Sequence, residues 1–410
     1  MISDFQIDTI TKPIVDRQQK LSSDIINIIA QRVKDIKEDD VLDDIAALFV
    51  LSQVERTEED LQKIKKEILA VQKIQKKQSK DMLMKLGLQE YFNAKPFYDY
   101  RKINQKPMLE NKKIKDTIES LSHSLGNTFE TLDDPKTLGF TIRDAENPSL
   151  TKTMKINDAY MSIIEEAARA KHNGVLTFDQ AMRKVLKQLN DSGLKTMTYK
   201  DGSVRRIDAV ARMHLMSAIR HLNYEMQLEI GQIIGADGIE ISAHSFSAPD
   251  HEPIQGHLFT TENFDRLQDG QSFVDTYGNS FDAIRRPIGE WNCRHFVEVV
   301  ILAKHKPAWP LADLEELKRA NQEGYVTKDG RHYTMYQCTQ IQRQYETQIR
   351  YAKDGVIMSR NADNKELQDY YESKLAQLNK EYRVFSKSCG LKTDRSRTYV
   401  PDYAKQESAG

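Results

Sequence analysis

Apolar residues along this chain recur mostly with the period of a helix. In DIINIIAQRVKDI (24–36), Ile25, Ile28, Ile29, Val33 and Ile36 form one stripe, the mark of an amphipathic helix with one packed face. VLDDIAALFVLSQV (41–54) is more apolar and reads as a helix buried on more than one side. LQKIKKEILAVQKIQKKQSKDMLMKL (61–86) alternates Lys, Glu and Gln with Ile, Leu and Val, as a long amphipathic helix would. Periodicity then breaks over 126–149, where Gly, Pro, Asp and Asn accumulate, so a linker is expected there. Helices resume at 158–170 and at TFDQAMRKVLKQL (177–189), with Thr177 and Gln180 as a capping box and Gly193 past the end.

Residues 196–210 predict a β-hairpin turning at Asp201–Gly202 that leads into a long helix over 207–235. His214 and His221 sit on that helix among Met, Leu and Ile, where packing is the expected role. IEISAH (239–244) alternates as a half-buried strand, and FVEVVILA (296–303) has the β-branched content of a buried one. Loops and short strands fill the interval. Helices return over 337–355 and 364–390, before a polar tail at 393–410 that is expected to be poorly ordered. The fold class is therefore α+β and predominantly helical. Its expected parts are a helical arm (1–130), a linker (131–154), a mixed α+β domain with a small sheet (155–335), C-terminal helices (336–392) and a flexible tail.

Composition narrows the function. The net charge of -1 gives no global attraction to nucleic acid or acidic membranes, although the lysines of 61–86 leave local DNA contact open. A solvated helix face is the simpler account of those lysines. Three cysteines, far apart and odd in number, argue against a disulfide framework and for a reducing compartment. The start of the chain lacks the apolar core of a secretory signal, and no apolar run is long enough to span a bilayer. No membrane partner is expected.

Candidate chemistry concentrates in AHSFSAPDH (243–251), QGH (255–257) and NCRH (292–295), within roughly fifty residues. Three readings are open. His244, His251, His295 and the Cys293 thiolate form a donor set for zinc, although no CxxC pair is present. Cys293 with a histidine, or two histidines as acid and base, could act on nucleic acid as a nuclease or transferase. The third reading, preferred here, makes the histidines, Gln255 and Arg294 hydrogen-bonded staples of a loop-rich region, with Pro249 and Gly256 as turn residues. No cofactor is expected on that reading, zinc being the exception left open.

The same residues resemble the phage minor capsid protein 2 family, distantly similar to the Mu F-like head-morphogenesis proteins of tailed bacteriophages. The resemblance runs in order through YKDGSVRRIDAVARM (199–213), EISAHSFSAPDHEPIQG (240–256), NCRH (292–295), YQCTQIQRQYETQIRYAKD (336–354) and FSKSCGLKTDRSR (385–397). It covers about 155–397, the amino-terminal helices matching only in general character. By resemblance, His244, Pro249 and His251 stand in the family's histidine–proline–histidine loop. Gln255 and Gly256 stand at its Gln–Gly pair, and Asn292, Cys293, Arg294 and His295 form its NCRH motif. Ser247-Ala248-Pro249 lacks the arginine usual before the second histidine, and Ile254 stands where a tryptophan is usual.

The resemblance implies a non-catalytic minor component of the phage head, made in the host cytoplasm of a phage- or prophage-bearing cell. It would associate with the portal protein and other capsid proteins, and phage DNA is a further partner. The apolar stripes of the amino-terminal helices suggest docking on the portal or, coiled-coil fashion, on a second copy; packing on one another is the alternative.

Overall fold

The computed structural model describes residues 4–38, 46–132, 137–143, 151–173, 178–196, 204–289, 293–400 and 402–403. The helices are α1 (Asp4–Glu38), α2 (Ala46–Asn93), α3 (Lys95–Tyr100), α4 (Lys112–Leu132), α5 (Ile156–Asn173), α6 (Phe178–Ser192), α7 (Ile207–Ile234), α8 (Thr261–Gln268), α9 (Leu311–Glu323), α10 (Met335–Asn361) and α11 (Lys365–Ser388). Between them run short strands, all antiparallel: β1 (Leu138–Arg143), β2 (Thr151–Lys155), β3 (Lys195–Thr196), β4 (Arg205–Arg206), β5 (Gly238–Ile241), β6 (Leu258–Thr260), β7 (Phe273–Val274), β8 (Ser280–Phe281), β9 (Val297–Val300), β10 (Tyr325–Val326) and β11 (His332–Tyr333). The chain is thus predominantly helical α+β, as its periodicity predicts.

Two compact units form, and neither is contiguous. The first gathers residues 1–14, 75–128 and 212–340; the second gathers 15–74, 129–211 and 341–410. The partition expected from the sequence is linear, with a helical arm at 1–130, whereas the two units each draw on separate stretches of chain. In the second unit, amino-terminal helical residues such as Ile29 and Ile64 bury their apolar faces with residues far along the chain.

In the second unit the stripe on α1 is already covered. Ile25, Ile29, Val33 and Ile36 share one core with Ile64 and Ile68 of α2, Leu138 and Phe140 of β1, Tyr160 and Ile163 of α5, and Leu186 and Leu189 of α6. That core removes the argument that the stripe awaits a portal ring or a second copy. The expected linker over 131–154 is also corrected: LGFTIR (138–143) is a strand pairing with β2 on one side and β3 on the other, in the sheet order β2-β1-β3-β4. Phe140 and Leu138 are fully buried, which outweighs the neighbouring turn residues. Pairing of Lys195 with Arg206 and Thr196 with Arg205 supplies the arms of the expected hairpin; its turn at Asp201–Gly202 lies outside the described residues, as does Thr177 of the expected capping box. Residues 395–398 of the expected flexible tail form a 3-10 turn, and Val400 is buried.

Buried polar groups tie this unit together. Asp60 accepts from Arg32 Nε at 2.8 Å, Tyr160 Oη at 2.7 Å and Lys63 Nζ at 2.8 Å, linking α1, α2 and α5. Asp354 of α10 accepts from Ser23 Oγ at 2.9 Å and Gln19 Nε2 at 3.3 Å.

The first unit is organised around the sheet order β6-β5-β9. Ile239 lies opposite Phe259 on one side and Val299 on the other. Strand β9 therefore has one edge on β5 and one edge left over. A row of side chains on α7 meets that second edge. Asn223 Oδ1 accepts from Val297 N at 3.0 Å and Asn223 Nδ2 donates to Val297 O at 3.3 Å. Gln227 Oε1 accepts from Val299 N at 3.0 Å, while its Nε2 donates to Glu90 at 3.0 Å. Arg220 Nε donates to Cys293 O at 3.1 Å. Helix and strand approach so closely that a Cβ on Gly231 would sit 3.1 Å from Val299 Cγ1. Gly235, at φ +61°, then ends the helix as a left-handed glycine cap.

Two predictions follow from these buried polar contacts. Replacing Asn223 with Ala orphans the N–H and C=O of Val297 and should lower stability by about 2–6 kcal/mol, since each orphaned group costs about 1–3. Equilibrium urea unfolding measures this, and a negligible loss would mean that the edge of β9 is satisfied elsewhere. Burial raises the Asp354 carboxyl from 3.8 to about 6, the donors from Ser23 and Gln19 and the charges of Arg206 and Arg350 offsetting it only in part. The fold thus favours the protonated acid, so this contribution is complete below the unfolded value and is lost as pH rises through about 6. Asp354→Asn should gain on the wild type by up to roughly 3 kcal/mol as pH rises from about 4 to about 7. Paired melts across that range test it, and a pH-independent difference would refute it.

Candidate functional site

The cluster forms where the segment after β5 turns back over the start of β9. Strand β5 ends at Ile241, and Ser242 still pairs through its N–H with Phe296 O at 2.9 Å. The chain then turns at Ala248–His251, where the N–H groups of His251 and Glu252 both reach Ala248 O, at 3.0 and 2.9 Å. Pro249 is exposed on this turn. Gly256 returns the chain to the sheet, its N–H bonding Ile241 O at 3.0 Å with φ at +72°. A Cβ there would sit 2.3 Å from Leu314 Cδ2 and 3.2 Å from Ala243 Cβ, so both the backbone angle and the space call for glycine.

The predicted residues occupy distinct positions around this turn. Gln255 is buried, and its Oε1 accepts from His244 N at 3.1 Å, closing the loop across its base. His251 is fully buried; its Nε2 lies 2.7 Å from Arg286 O and its Nδ1 3.6 Å from Cys293 Sγ. His295 is 3% exposed, with Nδ1 3.8 Å from the same sulfur and Nε2 3.3 Å from Ser247 Oγ. Cys293 is 2% exposed. His244 stacks on the ring of His295, with 4.7 Å between centroids, and His251 meets His295 edge-on at 5.2 Å. Arg294 is half-buried, and Asn292 lies outside the described residues. Ile254, where the family has tryptophan, is fully buried.

Several participants, His257 of the QGH run excepted, lie outside the residues singled out from the sequence. Ser247, which stands in the departure from the family pattern, supplies the hydroxyl against His295. Asp250 pairs with Arg286 through Nε at 2.9 Å and Nη2 at 2.7 Å, which holds the Arg286 carbonyl under His251. Arg220 lies over the ring of Phe296 at 4.0 Å and holds Cys293 O. His257 pairs with Asp275 at 2.7 Å, and the buried Glu240 accepts from His305 and from the N–H of Ala308, both at 2.7 Å. Of these only α7 offered a signal. Arg220, Asn223 and Gln227 recur at i, i+3 and i+7 on an otherwise apolar helix, which places three polar groups on one buried face.

Charge in the cluster is uneven. Burial pushes His251 down, but contact with the Cys293 sulfur, the Arg286 carbonyl and Asp250 outweighs it and holds the ring above its ordinary value. For Cys293 burial pushes up, and the facing His251 outweighs it, so the thiol lies below its ordinary value. His295 lies well below the ordinary imidazole range because of burial first, then His244, His251, Arg220 and Arg286. It is neutral at pH 7. A thiol so placed is chemically suited to nucleophilic attack or to metal ligation. A large substrate, however, cannot meet side chains this deeply covered without the loop opening.

No helix among the described residues is long and apolar enough to cross a membrane. No curated protein and no solved structure matches the chain with significance. The family model described as phage minor capsid protein 2 matches residues 2–387. That match takes in the amino-terminal helices as well as the region from 155 onward, so the helices are part of the family's common chain. The protein therefore belongs to the phage minor capsid protein 2 family and has a structural role in a phage particle.

Proposed function

We propose that this protein is a non-catalytic minor component of a tailed-phage head, assembled in the host cytoplasm and bound at the portal vertex or the inner capsid face. The observation that carries this is the family match over nearly the whole chain. Other proteins of the head are then its partners. Internal packing of the α1 stripe means that such contacts use other surfaces of the molecule.

In this reading the residues around 244–295 keep the loop in one conformation. His251 anchors the turn to Arg286, Gln255 ties its base to His244, and Cys293 and His295 join it to β9 through the sulfur contact and Ser247. Near-complete burial of His251, Cys293 and His295 favours this role over catalysis, which needs access to a substrate.

Quantitative mass spectrometry of purified particles, with empty heads alongside, tests the proposal. A few copies per particle in both populations is the expected result. Absence from particles while the protein is abundant in the infected cell would overturn it.

A further inference from the structure

The three buried side chains His251, Cys293 and His295 are arranged as no simple hydrogen-bonded core requires. One ligand atom from each lies within 4.8 Å of the others. The sulfur is 3.6 Å from His251 Nδ1 and 3.8 Å from His295 Nδ1. Around a tetrahedral zinc ion with Zn–S near 2.3 Å and Zn–N near 2.0–2.1 Å, a sulfur–nitrogen edge measures about 3.5 Å. Both observed edges come within a few tenths of an ångström of that length.

Proton positions lead the same way. A carbonyl oxygen can only accept, so His251 Nε2, at 2.7 Å from Arg286 O, carries a proton, and Nδ1 is the ring atom turned to the sulfur. At His295 the far nitrogen Nε2 rests on the Ser247 hydroxyl at 3.3 Å, so the ring atom turned to the sulfur is Nδ1. Two ring nitrogens and one sulfur thus converge in a buried space. The thiol has one proton and can serve one nitrogen. A cation serves all three at once. Ligating histidines usually hold their far nitrogen on a carbonyl or hydroxyl in this way.

We propose that His251 Nδ1, Cys293 Sγ and His295 Nδ1 bind one zinc ion, which cross-links the 248–256 turn to the start of β9. One thiolate with two imidazoles suits zinc and not the oxygen-seeking magnesium or calcium. His244 is not a ligand in this assignment: its ring stacks on His295 and its Nδ1 lies against Ser245 O at 3.2 Å. The fourth position falls to a solvent molecule. Binding releases the thiol proton to solvent, with no change of oxidation state. The assignment is independent of where in the particle the protein resides.

Elemental analysis of the untagged full-length protein, grown with added zinc, should give about one zinc per chain. Exchange for cobalt should produce intense tetrahedral d–d absorption and a thiolate-to-cobalt charge-transfer band. Cys293→Ser should abolish that band and cut bound metal about tenfold or more, whereas Cys338→Ser, at a buried thiol outside the cluster, should leave both unchanged. If Cys293→Ser does not fold, chelation of the wild type decides instead: its melting temperature should drop on metal removal and recover on adding zinc. Zinc well below stoichiometry with no thiolate band in the cobalt-treated protein would overturn the assignment and leave an imidazole–thiol pair. So would a melting temperature indifferent to chelation.

Discussion

An edge strand must have its outward N–H and C=O groups satisfied, and in the first unit this requirement falls on β9. Among the described residues, the outward N–H and C=O of Val297 and the outward N–H of Val299 meet no strand; they meet the amides of Asn223 and Gln227 on α7. A helix that substitutes for a strand in this way has its rotation and height set by the strand's 2-residue repeat. Asparagine and glutamine four positions apart on α7 match residues two apart on β9. Once that register is set, Arg220 one turn earlier reaches Cys293 O, and the residues entering β9 have their places. Cys293 and His295 are therefore positioned by a contact made outside the loop they serve.

The region that depends on this contact has little else to hold it. Strands of three or four residues give few ladder bonds, and the 242–257 segment has none of its own beyond its ends. Side chains do the rest, and each does so by filling a backbone need or pairing a buried charge. Gln255 takes the N–H of His244, Glu240 takes that of Ala308, and Asp275 takes those of Tyr277 and Asn279. Such groups lose a full desolvation penalty when their partner goes, so the region tolerates change at these positions less than its irregular backbone suggests.

Helices were the legible part of this chain because their signal is local. The stripe of α1, the glycine after α6, the extent of α7 and the two carboxyl-terminal helices all follow from periodicity and caps. Strand β1 was not legible, since six residues with Gly139 in second place, flanked by Asp, Pro and Asn, carry too little alternation to stand against the turn signals. The partition into units was hidden for a different reason. It depends on which distant segment covers each apolar face, as when Ile64 and Ile68 meet Tyr160, and periodicity says that a face is buried without saying by what.

At the site, sequence spacing could bring His244, His251, Cys293 and His295 into one neighbourhood but could not rank them. Cys293 and His295, two residues apart, both meet His251, one through its sulfur and the other through the edge of its ring. His244 and His251 are separated by a turn whose geometry rests on Ala248 O accepting two N–H groups, information that no residue type announces. The departure from the family pattern becomes intelligible here. Where an arginine is usual before the second histidine, this chain has the run Ser247-Ala248-Pro249, whose serine hydroxyl is buried against His295 Nε2. The arginine's own place is taken by Ala248, whose carbonyl accepts the two N–H groups that close the turn.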